Sequence, residues 1–108
     1  MNISFEEFKK IEIRIGKILS AEKVENADKL LKLEVEFNGE IGKRQIVSGI
    51  AEYYQPEELV GKKMPFIVNL EPRKFKGVES QGMLMAVNSD KPILLLPSED
   101  VPEGAEVI

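Results

Sequence analysis

The chain contains no cysteine, no histidine and no tryptophan. Without cysteine there are no disulfides, thiol nucleophiles or zinc ribbons, and without histidine the commonest general base and metal ligand is missing. The carboxylates that remain fall on alternating strand positions or in the last residues, and no evident pair among them suits acid/base or metal chemistry. A non-catalytic protein with no cofactor and no metal is therefore expected. Aromatics are also few, with five Phe and two Tyr, which is too sparse for a row of base-stacking platforms. No segment approaches the roughly 20 apolar residues needed to span a membrane, and the first residues lack the apolar run of a signal peptide. A cytoplasmic protein with no membrane partner is expected.

At 108 residues the chain is long enough for one core and too short for two. Its net charge of −4 is unevenly spread. Residues 90–108 hold Asp90, Glu99, Asp100, Glu103 and Glu106 against Lys91 alone, a sum of −4, so residues 1–89 are neutral overall. Within them, residues 62–77 carry Lys62, Lys63, Arg73, Lys74 and Lys76 against Glu71, a local sum of +4. Such asymmetry focuses a field that the net charge conceals.

Hydrophobic periodicity places the elements. Ser4 with Glu7 three residues on forms a capping box, which predicts a short helix over residues 4–10 that seals one end of the core. From Ile11 the apolar period becomes two through Ile13, Ile15 and Ile18, a first strand in which Gly16 is read as a bulge or bend. Leu31, Leu33, Val35 and Phe37 make a second strand that ends at Asn38-Gly39, a strong hairpin signal. A third strand runs from about Arg44 to Ile50. Pro56 and Gly61 bracket one helical turn. Met64 to Leu70 and Met83 to Val87 are strands four and five, and Ile93 to Leu96 is a short apolar strand before the acidic tail. Five strands with a helical turn between the third and fourth predict an all-β, five-stranded, closed OB-fold barrel: helix over 1–10, barrel over 11–89, extension over 90–108. An exposed apolar strand such as 93–96 needs covering, so the extension is expected to form a two-fold dimer interface.

Residues 69–83 concentrate cations and turn residues between strands four and five, where an OB barrel flanks its ligand. Arg73, Lys74 and Lys76 can meet a polyanion, and Gly77 and Gly82 let a backbone approach closely. Asn69 and Ser80 either cap local turns or donate to phosphate. Asn26-Ala27-Asp28 reads as a turn or helix cap, with Asp28 structural because its charge opposes phosphate. Met83 and Met85 share one strand face and Leu84 the other. Tyr53 and Tyr54 read as packing residues rather than stacking platforms.

Three blocks together resemble the tRNA-binding domain family, which includes the C-terminal domains of methionyl-tRNA synthetases, free-standing beta subunits and small structure-specific tRNA-binding proteins, and which is related to an export-associated chaperone. The blocks are residues 13–18 (Ile-Arg-Ile-Gly-Lys-Ile), residues 26–30 (Asn-Ala-Asp-Lys-Leu) and residues 69–83, whose Pro72, Gly77, Ser80, Gly82 and Met83 fall at the family spacing. The chain departs from the family pattern at Glu12, at Val24-Glu25, at Glu71 and at Phe75.

The resemblance implies an oligonucleotide-binding barrel that acts as a homodimer and grips folded tRNA from outside, by shape and backbone contacts. It implies a non-catalytic methionyl-tRNA synthetase beta subunit or trans-acting factor. A dimeric peptide-binding chaperone on the same barrel is the alternative. Expected tRNA contacts are Asn26 and Lys29 in the second block; Arg44 and Ser48 on strand three; and Asn69, Arg73, Lys74, Phe75, Lys76, Ser80, Gln81 and Met83 in the third block.

Overall fold

A computed structural model describes residues 1–108. The strand that organises it is β1, Ile13–Val24, which serves two partners in turn: residues 13–17 pair antiparallel with β4 (Lys63–Ile67), and residues 17–24 pair antiparallel with β2 (Ala27–Glu36). A register shift between Ile18 and Ser20 bends it at the handover. Extra residues of this kind sharpen twist and let a sheet curl. β2 continues into β3 (Lys43–Ser48), and β4 pairs with β7 (Met83–Leu84), giving a five-stranded sheet in the order β3-β2-β1-β4-β7. Two small hairpins complete the strands: β5 (Arg73–Phe75) with β6 (Val78–Ser80), and β8 (Ala86–Asn88) with β9 (Pro92–Leu94).

The alternation in the sequence decides which face closes. Leu31, Leu33 and Val35 of β2 are fully buried, while Lys32, Glu34 and Glu36 between them reach toward solvent. Ile18, Ile46, Met64, Phe66 and Leu84 join them from the other four strands, and Phe37 meets Phe66 edge to face at 5.5 Å between ring centroids. Leu59, buried on the single turn of α2 (Pro56–Leu59), plugs the core beside β1. Burying one such side chain contributes about 1.5–3 kcal/mol.

Several expectations are revised. The sheet order places β3 and β7 at opposite edges with no ladder between them, so a closed barrel is not formed by strand pairing. Gly16 is not a bulge: it sits in the β1–β4 ladder opposite Met64, and a methyl group there would lie 2.4 Å from Val35 Cγ1 and 2.6 Å from the Phe37 ring. Glycine is needed because two core side chains occupy the space a Cβ would take. The helix α1 is Phe5–Phe8, and its Ser4–Glu7 capping box is present, but it has no buried residue. It does not seal the core; Phe5 is 71% exposed.

β2 starts at Ala27, so Ala27-Asp28 belongs to a strand, and the β1–β2 turn is Glu25-Asn26 with Asn26 at φ +62°. The Asn38-Gly39 turn adopts positive φ at both residues but widens into a loop closed by Phe37 N–H donating to Gly42 O at 2.9 Å. Of the Met83–Met85 trio only Leu84 is buried; the methionines lie on the outer side. Tyr54 packs half-buried and its hydroxyl donates to Pro92 O at 2.7 Å.

The acidic tail folds back on the same chain. Gly104 N–H donates to Ile15 O at 2.7 Å, Ile15 N–H to Ala105 O at 2.9 Å and Val107 N–H to Ile13 O at 2.9 Å, so residues 104–107 occupy the edge of β1 that β2 leaves free. Part of the extension expected at a dimer interface is thus committed within the chain. Ile93, Leu95 and Leu96 remain exposed.

Candidate nucleic-acid interface

The excursion between β4 and β7 carries the cations, and it must satisfy its own backbone groups without a regular ladder to the main sheet. Polar side chains do this. Asn69 Oδ1 accepts from Glu12 N–H at 2.8 Å and its Nδ2 donates to Lys10 O at 2.6 Å, fixing the departure point. Arg44 Nη1 donates to Val68 O at 2.7 Å and to Gln81 O at 3.1 Å, tying the two stems of the excursion to each other across β3. Gln45 and Gln81 are zipped together: Gln81 N–H donates to Gln45 O at 2.8 Å, and Gln45 N–H to Gln81 Oε1 at 3.0 Å. Gln45 Nε2 also donates to Glu79 O at 2.8 Å.

Ser80 completes the seam. Its hydroxyl accepts from Val47 N–H and donates to Gly82 O, each at 2.9 Å, and the residue is 4% exposed. These bonds bring β3 against residues 79–82 where the ladder does not. Gln45 is the member that sequence reasoning missed; as one polar residue in a short strand it carries no distinguishing signal.

Held at its base, the excursion ends in the β5–β6 hairpin, whose two-residue turn is Lys76-Gly77 at φ +53° and +83°. Both central residues of such a turn need positive φ, which a glycine accepts and a lysine resists. The hairpin tip meets the β1–β2 turn across an open cleft of about 590 Å³ lined by Asn26, Ala27, Asp28, Lys29, Leu30, Lys74, Phe75 and Lys76. Arg73 sits behind it, its guanidinium 5.0 Å from the Phe75 ring centroid. Residues 26–30 and the tip of the 69–83 block, nearly fifty positions apart in sequence, thus form one surface.

The remaining expected contacts lie elsewhere. Asn69, Arg44 and Gln81 line a second cleft of about 580 Å³ with Glu12 and Glu71. Ser48 lies half-buried on β3 opposite Leu31, in a separate depression beside Tyr53 and Val87. Met83 is 45% exposed, opposite Ile67.

Ion pairing leaves the cleft cations free. Arg14, Lys32 and Lys63 are engaged in ion pairs, whereas Lys29, Arg73, Lys74 and Lys76, like most cations of the chain, pair with no carboxylate. Lys63, which does not line the cleft, holds two carboxylates: its Nζ lies 2.9 Å from Asp100 Oδ1 and 3.7 Å from Glu103 Oε1. The hydrogen bond from Lys63 holds the Asp100 carboxyl below its ordinary range, and the same bond raises the Lys63 ammonium above its own.

Fold and cleft together define a small β domain with an open, lysine-lined surface. The chain belongs to the family described as "Putative tRNA binding domain", whose model matches residues 13–106. It is 52% identical over 106 residues to a methionine–tRNA ligase of Archaeoglobus fulgidus, a match covering 97% of this chain and 16% of that protein. Among solved structures, a MetRS-related protein from Pyrococcus horikoshii superposes with a TM-score of 0.93 at 45% identity, covering 100% of this chain and 99% of that one. The chaperone CsaA from Bacillus anthracis superposes at 0.90 with 28% identity, covering 100% of both. The chain spans about a sixth of the length of the curated ligases it matches. No helix is long and apolar enough to cross a membrane.

Proposed function

We propose that this chain is a non-catalytic tRNA-binding module of the OB type, which grips folded tRNA through the cleft between the β1–β2 turn and the β5–β6 hairpin. The observation that carries this reading is the convergence of unpaired cations from two distant segments on one cleft, in a protein whose net charge is negative. Lys29, Lys74 and Lys76 take backbone phosphates, Arg73 supports them from behind, and Asn26 offers a short polar group to ribose or phosphate. Arg44, Asn69, Ser80 and Gln81 act at one remove, because their polar atoms hold the hairpin to the sheet. Ser48 and Met83 lie outside this cleft and would extend the contact for a ligand as large as tRNA.

Such a module serves methionyl-tRNA synthetase as a beta subunit or trans-acting factor in the cytoplasm, raising the effective concentration of tRNA at an active site that it does not itself supply. Likeness to the Pyrococcus horikoshii protein over nearly the full length of both chains supports this. Exposed Ile93, Leu95 and Leu96 support a homodimer, since a second copy would cover them.

A salt titration of tRNA binding tests the reading. Counterion release makes log affinity fall linearly with log salt, and Lys74→Ala is expected to reduce that slope by about 1 while weakening all tRNAs alike. Absence of tRNA binding at low salt would exclude it. The full-length match to CsaA favours a second reading, a peptide-binding chaperone. Suppression of aggregation of an unfolded protein, without affinity for tRNA, would select it.

A further inference from the structure

The cleft contains two groups that a phosphate grip does not use. Asp28 lines it among the lysines. Read from sequence as a structural cap, Asp28 caps nothing: it is exposed within β2, and its carboxylate takes part in no hydrogen bond or ion pair of the chain. A free carboxylate beside three lysines opposes phosphate binding, so its presence calls for a ligand group that donates. Phe75 is the second. It is the one aromatic in the basic block, half-buried, backed by the Arg73 guanidinium, and it shares the cleft with the apolar Leu30.

The cleft, about 590 Å³ and open to solvent, has room for one nucleotide at its floor. A flat apolar wall, flanking cations and one acceptor suit an unstacked base with its phosphates attached. The acceptor discriminates among bases. Guanine places N1–H and N2–H side by side on its Watson–Crick edge, and both can donate to the two oxygens of one carboxylate. Adenine and cytosine each set an acceptor nitrogen beside their amino group, and uracil flanks one N–H with two carbonyls.

Resting on the reading of the cleft as an RNA grip, we propose that it receives a single unpaired guanosine, its base against Phe75 and Leu30, its Watson–Crick edge on Asp28, and its phosphates on Lys29, Lys74 and Lys76. Recognition is then sequence-selective at one exposed position of the folded RNA and backbone-driven elsewhere.

The test measures binding of the full chain to labelled hairpin RNAs whose loop differs at one position, guanosine, inosine or adenosine, beside a blunt duplex of equal phosphate number and a folded tRNA. The guanosine loop should bind about tenfold more tightly than the adenosine loop, with inosine, which lacks N2, between them. Asp28→Asn should abolish that preference while tightening the adenosine loop, because a negative charge is removed. Phe75→Leu, which keeps apolar bulk in the hairpin, should weaken the loops and tRNA about fivefold and leave the duplex and the salt slope unchanged. If the wild type binds tRNA but treats guanosine and adenosine loops alike, or Asp28→Asn strengthens both equally, the subsite is overturned and the backbone grip stands. A guanosine-loop preference without tRNA binding would instead overturn the tRNA reading and leave the subsite.

Discussion

Cations of the same kind do opposite work at the two ends of β1. At its beginning, Arg14 pairs with Glu12 and Glu106, and donates to Gly104 O at 3.1 Å, while Lys63 on the neighbouring strand pairs with Asp100 and Glu103. These charges are spent on holding the acidic tail. At its end, beyond Val24, Lys29 and the hairpin lysines Lys74 and Lys76 line an open cleft and form no ion pair, neither with Asp28 in the same cleft nor with Glu79, which lies across the hairpin from Lys74. The acidity of the sequence is therefore not a general screen. The net excess of acid lies in residues 90–108, part of which neutralises Arg14 and Lys63, while the cleft lysines stay unpaired.

If the two ends are independent, damage to the tail should cost stability without touching the cleft. Gly104 has φ +89°, and a Cβ there would lie 2.2 Å from Phe37 O. Gly104→Ala is expected to destabilise the fold by about 2 kcal/mol, read by urea denaturation, with tRNA affinity unchanged once the protein is folded. A loss of affinity equal to that of a cleft mutant would break the comparison.

The reverse change should act at the other end. Lys76 holds a left-handed backbone conformation that asparagine tolerates better. Lys76→Asn is expected to stabilise the protein by about 0.5 kcal/mol while lowering the salt slope of RNA binding by about 1. Denaturation midpoints and binding titrations on the same variant check both signs; a variant both less stable and equally tight would contradict the division of labour.

The smallest effect concerns pH. Because the Asp100 carboxyl is held below its ordinary range by Lys63, the folded chain binds fewer protons there than the unfolded one. The contribution of the pair is complete above the ordinary carboxylate value and is lost as pH falls through the lowered one. At the alkaline end the sign reverses: the raised Lys63 ammonium loses its contribution only as pH rises through its own raised value. The difference in urea midpoint between wild type and Asp100→Asn should be present at neutral pH and vanish as pH falls through the lowered Asp100 value.

Much of this was legible in the chain, and the failures have physical causes. The alternation of Leu31, Leu33 and Val35 marks a strand half-buried against a core, and Ser4 with Glu7 marks a cap, because both patterns are local. Gly16 was misread because a glycine that makes room for Val35 and Phe37 looks the same in sequence as one that bends a strand. The bonds that Ser80, Asn69 and Arg44 make to backbone groups up to 59 positions away are not legible in the sequence, because no periodicity reaches over that distance. Residues 26–30 and the hairpin were nominated separately, each by family resemblance. Their meeting in one cleft follows from the bend in β1 and the seam at Gln45 and Gln81.

The return of residues 104–107 to the edge of β1 has an architectural corollary. Ile13 and Val107 are one hydrogen bond apart, while the Glu25-Asn26 turn lies at the other end of a twelve-residue strand, a separation of roughly 36 Å along β1. Any polypeptide continuing beyond Val107 therefore leaves from the end of β1 opposite the cleft, and a tether there keeps the cleft mouth open, as an adaptor head on a stalk is mounted.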